Sequence, residues 1–139
     1  MTNLTTLASQ IHADNRAKGF WDHERPLTET TMLIVTELAE AVEEERAGRD
    51  AVWYSHDVGG ETVEWYEYEV AVDAHGLVRP DDNPSKGPFK PEGVDVELID
   101  ALIRLLDLLG SRGTDVDELL KQKLAYNREG RGYRHGKAY

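Results

Sequence analysis

The sequence predicts a mainly α-helical fold: four helices, with a small β-hairpin or meander inserted between the second and the third. Three observations predict it. Apolar residues recur at helical spacing in four stretches. Between the second and third of these, Tyr66, Tyr68, Val70 and Val72 alternate with Glu67, Glu69, Ala71 and Asp73, a period of two. Glycine and proline fall between the periodic stretches and mark their limits. Residues 1–139 read as a single domain, with residues 51–93 as β-insert and loop.

Leu4, Leu7, Ala8 and Ile11 place a first helix over Leu4 to Lys18, and Gly19 ends it. Phe20 and Trp21 follow in a connector that runs to Pro26. Thr28 reads as the N-cap of a second helix through Met32, Ile34, Leu38, Ala41 and Val42, which ends at Gly48. In the insert, Gly59-Gly60 and Asp73 to Gly76 are turn signals. Asp81 to Gly93, DDNPSKGPFKPEG, reads as a loop. Val94 to Gly110 forms the most apolar helix, with apolar residues over roughly two-thirds of its circumference. A helix of that kind needs cover from neighbours, another subunit included. Thr114-Asp-Val-Asp resembles a capping box and opens a last helix that reaches Arg128.

The net charge of −11 argues against nucleic acid and anionic membranes as partners. No apolar run is long enough for a bilayer, and the N-terminal residues lack the layout of a signal peptide. With no cysteine, disulfides, thiolate catalysis and Cys-ligated zinc are excluded. The expectation is a soluble, cytoplasmic protein. The charge is uneven, because Lys121, Lys123, Arg128, Arg131, Arg134 and Lys137 crowd the end of an otherwise acidic chain.

The second helix contains VTELAEAVEEERAG, Val35 to Gly48, with Glu37, Glu40 and Glu44 in a strip about 60° wide at ~100° per residue. Like charges at these spacings repel. The third helix carries Glu97, Asp100, Arg104 and Asp107 on the strip its apolar residues leave free. Glu37/Glu40 and Glu97/Asp100 are therefore two carboxylate pairs at i,i+3, each about one turn, ~5 Å, apart. Facing each other, they would converge four oxygen donors, which suits a hard cation such as Mg2+ or Mn2+ and, with it, a phosphorylated ligand. Acidic i,i+3 pairs are also common on solvated helix faces, so spacing alone leaves both readings open.

T-E-L-A-E-A, V-E-L-I-D-A-L-I-R-L-L-D-L and K-L-A-Y-N-R followed by Y-R-H-G-K resemble the MazG-like nucleotide pyrophosphohydrolases of the all-α NTP pyrophosphatase superfamily. Their signature is E-x-x-E followed at a distance by E-x-x-D. The resemblance covers the helical parts from the G-F-W-D stretch onward and implies a four-helix MazG-like bundle. It implies Mg2+, with Mn2+ as a substitute, held by Glu37, Glu40, Glu97 and Asp100 as metal and catalytic residues. It assigns Trp21, Lys123, Asn127, Arg128, Tyr133, Arg134 and Lys137 to the substrate, with Phe20 beside the nucleotide pocket and His135 as a phosphate contact or surface residue. Trp21 also reads as a plug at the end of a bundle, and Asn127 as a helix C-cap. The insert of residues 51–93 is a departure, since compact relatives have a short loop there.

The implied reaction cleaves a (d)NTP between the α- and β-phosphates to (d)NMP and pyrophosphate; the cover that the third helix needs adds the expectation of a homodimer or homotetramer. Two alternatives stand beside it: a non-catalytic acidic binding or scaffold protein that uses the charge itself, and a dUTPase-like enzyme specific for uracil nucleotides. No nucleophile triad is suggested, and GRGYRHG, Gly130 to Gly136, follows a helix and so is no dinucleotide-binding loop.

Overall fold

The computed structural model describes residues 3–58, 61–65 and 90–129. The described chain is mainly helical: α1 (Leu4–Ala17), α2 (Leu27–Ala47), α3 (Val94–Ser111) and α4 (Val116–Arg128), with β1 (Trp53–Val58), β2 (Glu61–Trp65) and β3 (Lys90–Glu92) between α2 and α3. The chain divides into two compact units, one of residues Met1–Thr30 and Ile103–Tyr139, the other of Thr31–Leu102.

In the first unit, α1 opens on Asn3, whose side chain accepts the Thr6 N–H at 2.7 Å. It closes before Gly19, which takes the left-handed φ of 85°. Val116 and Leu106 bury against Ala8, with Leu4, Ile11 and Leu109 around them. Gly110 permits the close approach of α3 to α1, because a Cβ there would fall on the Ala8 carbonyl oxygen. The α4 N-cap is Asp115, which accepts the Glu118 N–H at 3.1 Å, one residue beyond the expected Thr114. Asp117 instead takes the free N–H groups of the other helix, from Leu4 at 3.2 Å and Thr5 at 2.8 Å.

The second helix begins one residue before the expected cap. Thr28 lies inside α2, and the Pro26 carbonyl accepts the N–H groups of Glu29 and Thr30. Proline has no N–H to lose at a helix start and its φ suits one, which makes Pro26 the entry point.

In the second unit the sheet has the order β2-β1-β3 with both pairings antiparallel. The register runs from Tyr54↔Trp65 to Val58↔Glu61, and the turn expected at Gly59-Gly60 lies outside the described residues. The third strand is a correction, since Lys90–Glu92 falls within the expected loop. Pro91 is compatible with β3 because an edge strand has one side without ladder partners. The alternating run Tyr66 to Asp73 lies outside the described residues. Both ends of the insert meet where Asp95 N–H donates to the Ala51 carbonyl at 3.0 Å. At Gly93, with φ 109°, a Cβ would stand 2.6 Å from that same oxygen. Joined ends explain how an insertion of this length leaves the helices on either side intact.

Candidate metal centre

Glu37, Glu40 and Glu97, all in the second unit, offer carboxylate oxygens that lie within 4.8 Å of one another. Glu37 and Glu97 are buried, at 6% and 8% exposure, while Glu40 is exposed. Helix α2 positions its pair by the one-turn spacing, and Gly93 accepts the Val96 and Glu97 N–H groups to set the first turn of α3. Asp100, half-buried, follows Glu97 by one turn and acts on it electrostatically. Three of the four carboxylates singled out by spacing thus form the cluster, and the fourth stands within its field.

Burial pushes the Glu97 carboxyl above the ordinary range, and the charges of Glu40, Asp100, Glu37 and Glu92 push it the same way. Desolvation and like-charge repulsion both make this cluster unfavourable without a positive charge. The donor set is all oxygen, which suits a hard divalent cation.

Glu44, third of the strip, is occupied differently. It accepts the Trp53 indole N–H at 2.9 Å, and the Arg49 guanidinium, 4.4 Å from the Trp53 ring centroid, approaches it at 3.6 Å. Lys90 and Glu92 also belong to these surroundings although no spacing rule pointed to them. The Lys90 ammonium reaches the two Glu92 oxygens at 2.8 and 2.9 Å. The hydrogen bond to Glu92 raises the lysine's pKa against the lowering effect of burial, with Glu92, Glu97 and Asp100 adding their charges.

Of the substrate-side residues named by resemblance, Trp21, Lys123, Asn127 and Arg128 fall in the first unit. Lys123 and Arg128 are exposed on α4, with the Lys123 ammonium 5.2 Å from the Tyr126 ring centroid. Asn127 is half-buried inside α4, where Glu129 and not Asn127 is the C-cap. Trp21 donates its indole N–H to both Asp107 oxygens at 3.1 Å and meets the His12 ring edge to face, 5.0 Å between centroids. Asp107 is 9% exposed and also binds His12 Nδ1 and the Asn15 amide, each at 2.8 Å. The sequence held a signal for it: Asp107 is one of four charged residues on the strip of a nearly all-apolar helix. Tyr133, Arg134, His135 and Lys137 lie outside the described residues.

An open cleft of about 360 Å3 is lined by Asn3, Thr5, Asp115, Asp117, Glu118 and Lys121. Asp115 and Asp117 already accept hydrogen bonds from the ends of α1 and α4 there, so the cleft's carboxylates serve the fold. Among the described residues, no helix is long and apolar enough to cross a membrane. Comparison of the chain with protein-family models, with curated proteins and with solved structures gives no match.

Proposed function

We propose that the chain is a Mg2+-dependent nucleoside triphosphate pyrophosphohydrolase, which converts a (d)NTP into (d)NMP and pyrophosphate. The observation that carries this reading is the convergence of Glu37, Glu40 and Glu97, with two of the three buried. An ordinary solvated acidic face leaves its carboxylates in water, where repulsion is screened. Burial of like charges is the arrangement a cation relieves. The reaction itself comes from the resemblance of the E-x-x-E and E-x-x-D pairs to those of MazG-like enzymes.

When bound, the divalent cation neutralises polyphosphate charge and makes water more acidic. Glu37 on α2 and Glu97 on α3 would hold it, with Asp100 one turn farther along α3. Glu40 is the exposed member and therefore the one open to a water, whose proton it accepts as that oxygen attacks phosphorus. The α–β anhydride bond breaks and pyrophosphate leaves. Lys123 and Arg128 carry the cationic groups that this reading assigns to phosphate.

The reading includes self-association. Met32, Val35, Leu38 and Val42 on α2 and Leu98, Ile99, Leu102, Ile103 and Leu105 on α3 are 39–59% exposed in the single chain. Apolar exposure of this extent marks an interaction surface, and a homodimer or homotetramer would cover it.

The test is pyrophosphate release from a panel of NTPs and dNTPs, with and without Mg2+, by the wild type and Glu37→Gln. Mg2+-dependent release that the variant loses while still folded is the expected result. A folded wild type that neither turns over nor binds any nucleotide with Mg2+ would leave the acidic scaffold as the better reading.

A further inference from the structure

The inserted sheet directs one face toward the acidic strip of α2. Antiparallel register pairs Trp53 with Glu92 and Ser55 with Lys90, and residues opposite one another project from the same side. Trp53, buried, fixes that side by its bond to Glu44, one turn beyond Glu40. Ser55 Oγ donates to Glu92 Oε1 at 3.1 Å and holds that carboxylate, whose side chain is 16% exposed. The chain then passes through Gly93 straight into the first turn of α3, which carries Glu97. Lys90 thereby lies on the same side of the sheet as Trp53 and Glu92, four residues before α3, with its ammonium on Glu92 and its side chain 71% exposed.

Its surroundings are acidic from two elements: Glu92 on its own strand, and Glu97 and Asp100 on α3. Among the described residues, the other cations of this unit, Arg46 and Arg49, have partners on or beside α2. Arg46 binds Glu43 at 2.6 Å, and Arg49 lies over Trp53 beside Glu44.

We propose that Lys90 is the insert's contribution to the site: it is the counter-cation of the carboxylate cluster when no metal is bound, and it exchanges Glu92 for a phosphate oxygen when a metal polyphosphate enters. The proposal rests on the metal–nucleotide reading above. An ammonium beside the cluster repels an incoming dication but attracts the polyphosphate that follows it. Removing it therefore has opposite effects on the two ligands. A residue that merely braced the sheet would weaken both.

The experiment compares wild type, Lys90→Gln, Lys90→Arg and Glu37→Gln by calorimetry, first with Mn2+ alone and then with inorganic tripolyphosphate at saturating Mn2+. For Lys90→Gln we expect Mn2+ to bind roughly threefold to tenfold more tightly. Tripolyphosphate should bind about tenfold more weakly, the loss of one charge-assisted hydrogen bond. Lys90→Arg should restore tripolyphosphate affinity to within about threefold. Unchanged affinities in Lys90→Gln, or a change of both in one direction, overturn the proposal while Mn2+ binding lost in Glu37→Gln leaves the metal site standing. A wild type that binds no Mn2+ overturns the functional reading and this proposal with it.

Discussion

The indole N–H of Trp53 donates to Glu44 Oε2 at 2.9 Å and fastens the inserted sheet to the helix that carries Glu37 and Glu40. Trp53 is 5% exposed, and the Glu44 side chain is 20% exposed. Trp53→Phe keeps the apolar contact but leaves the carboxylate without that donor. A hydrogen bond to a charged group contributes about 1.5–3 kcal/mol, and the retained Arg49 contact places the expected loss at the lower end, roughly 1–2 kcal/mol. Urea unfolding checks it. Trp53→Phe with an unchanged midpoint would mean that Arg49 alone satisfies Glu44.

Much of this arrangement was legible in the sequence, and the limits have physical reasons. Helical periodicity with Gly19 and Gly48 as stops located α1 and α2 to within a residue or two, because both glycines take the left-handed conformation that few residues adopt. The Glu37/Glu40 and Glu97/Asp100 pairs were visible because spacing within a helix fixes which side chains share a face. Strand β3 was not visible. Lys90-Pro91-Glu92 has no alternating apolar pattern and is a strand only because β1 pairs with it. For the same reason it is sheet register, which no local rule encodes, that sets Lys90 and Glu92 where their charges act with those of α3. Caps shifted by one residue at α4, where Thr114 and Asp115 are both competent and only geometry chooses.

The buried carboxylates lead to a prediction about the metal-free protein. A carboxyl raised by burial and by four neighbouring acids is a group whose charge destabilises the fold at neutral pH. Glu97→Gln removes that charge and retains the shape, so the metal-free variant should melt higher than the wild type. The sign follows from linkage: a carboxyl raised in the folded state favours folding as it protonates and opposes folding above that range. On the proposed metal reading, addition of Mg2+ should reverse the order, since binding at 100-fold over Kd would stabilise the wild type by about 2.7 kcal/mol while Glu97→Gln would bind poorly. Thermal melts with EDTA and with Mg2+ test this. Equal melting temperatures for the two proteins under both conditions would contradict it.

Asp117 has the opposite sign. The Thr5 hydroxyl, 2.6 Å away, and the Thr5 and Leu4 N–H groups hold its carboxyl below the usual aspartate range. Its contribution is complete above the pKa of the unfolded chain, ~3.9, and is lost as pH falls through the lower folded value. The difference in melting temperature between wild type and Asp117→Asn should therefore be level near neutrality and shrink only below about pH 4. A series of melts from pH 7 to pH 2 reads it. A difference that already fades between pH 7 and pH 5 would assign the effect to another group.

Gly110 tests the close crossing of α1 and α3. In an isolated helix, Gly→Ala stabilises by about 1 kcal/mol, and Gly110 sits near the end of a helix with no positive φ to defend. Propensity alone therefore favours alanine. Against it, the added Cβ would fall on the Ala8 carbonyl oxygen, 2.9 Å from the Ala8 carbonyl carbon and 3.0 Å from His12 Cβ. The first two are main-chain atoms of α1, so rotation of a side chain cannot relieve the contact; α1 must move. That displacement would disturb Ala8 against Leu106 and Val116, and would pull His12 and Asn15 from the two Asp107 bonds at 2.8 Å. Overpacking of this kind destabilises by about 1–3 kcal/mol, and loss of bonds to a buried carboxylate adds to it. The clash should win: Gly110→Ala is expected to unfold at least 1 kcal/mol more easily in urea. Its Trp21 fluorescence should also change as the indole loses its fixed partner, measured with Trp53 and Trp65 replaced by Phe in both proteins. A neutral or stabilising Gly110→Ala would mean that the two helices do not cross at this separation.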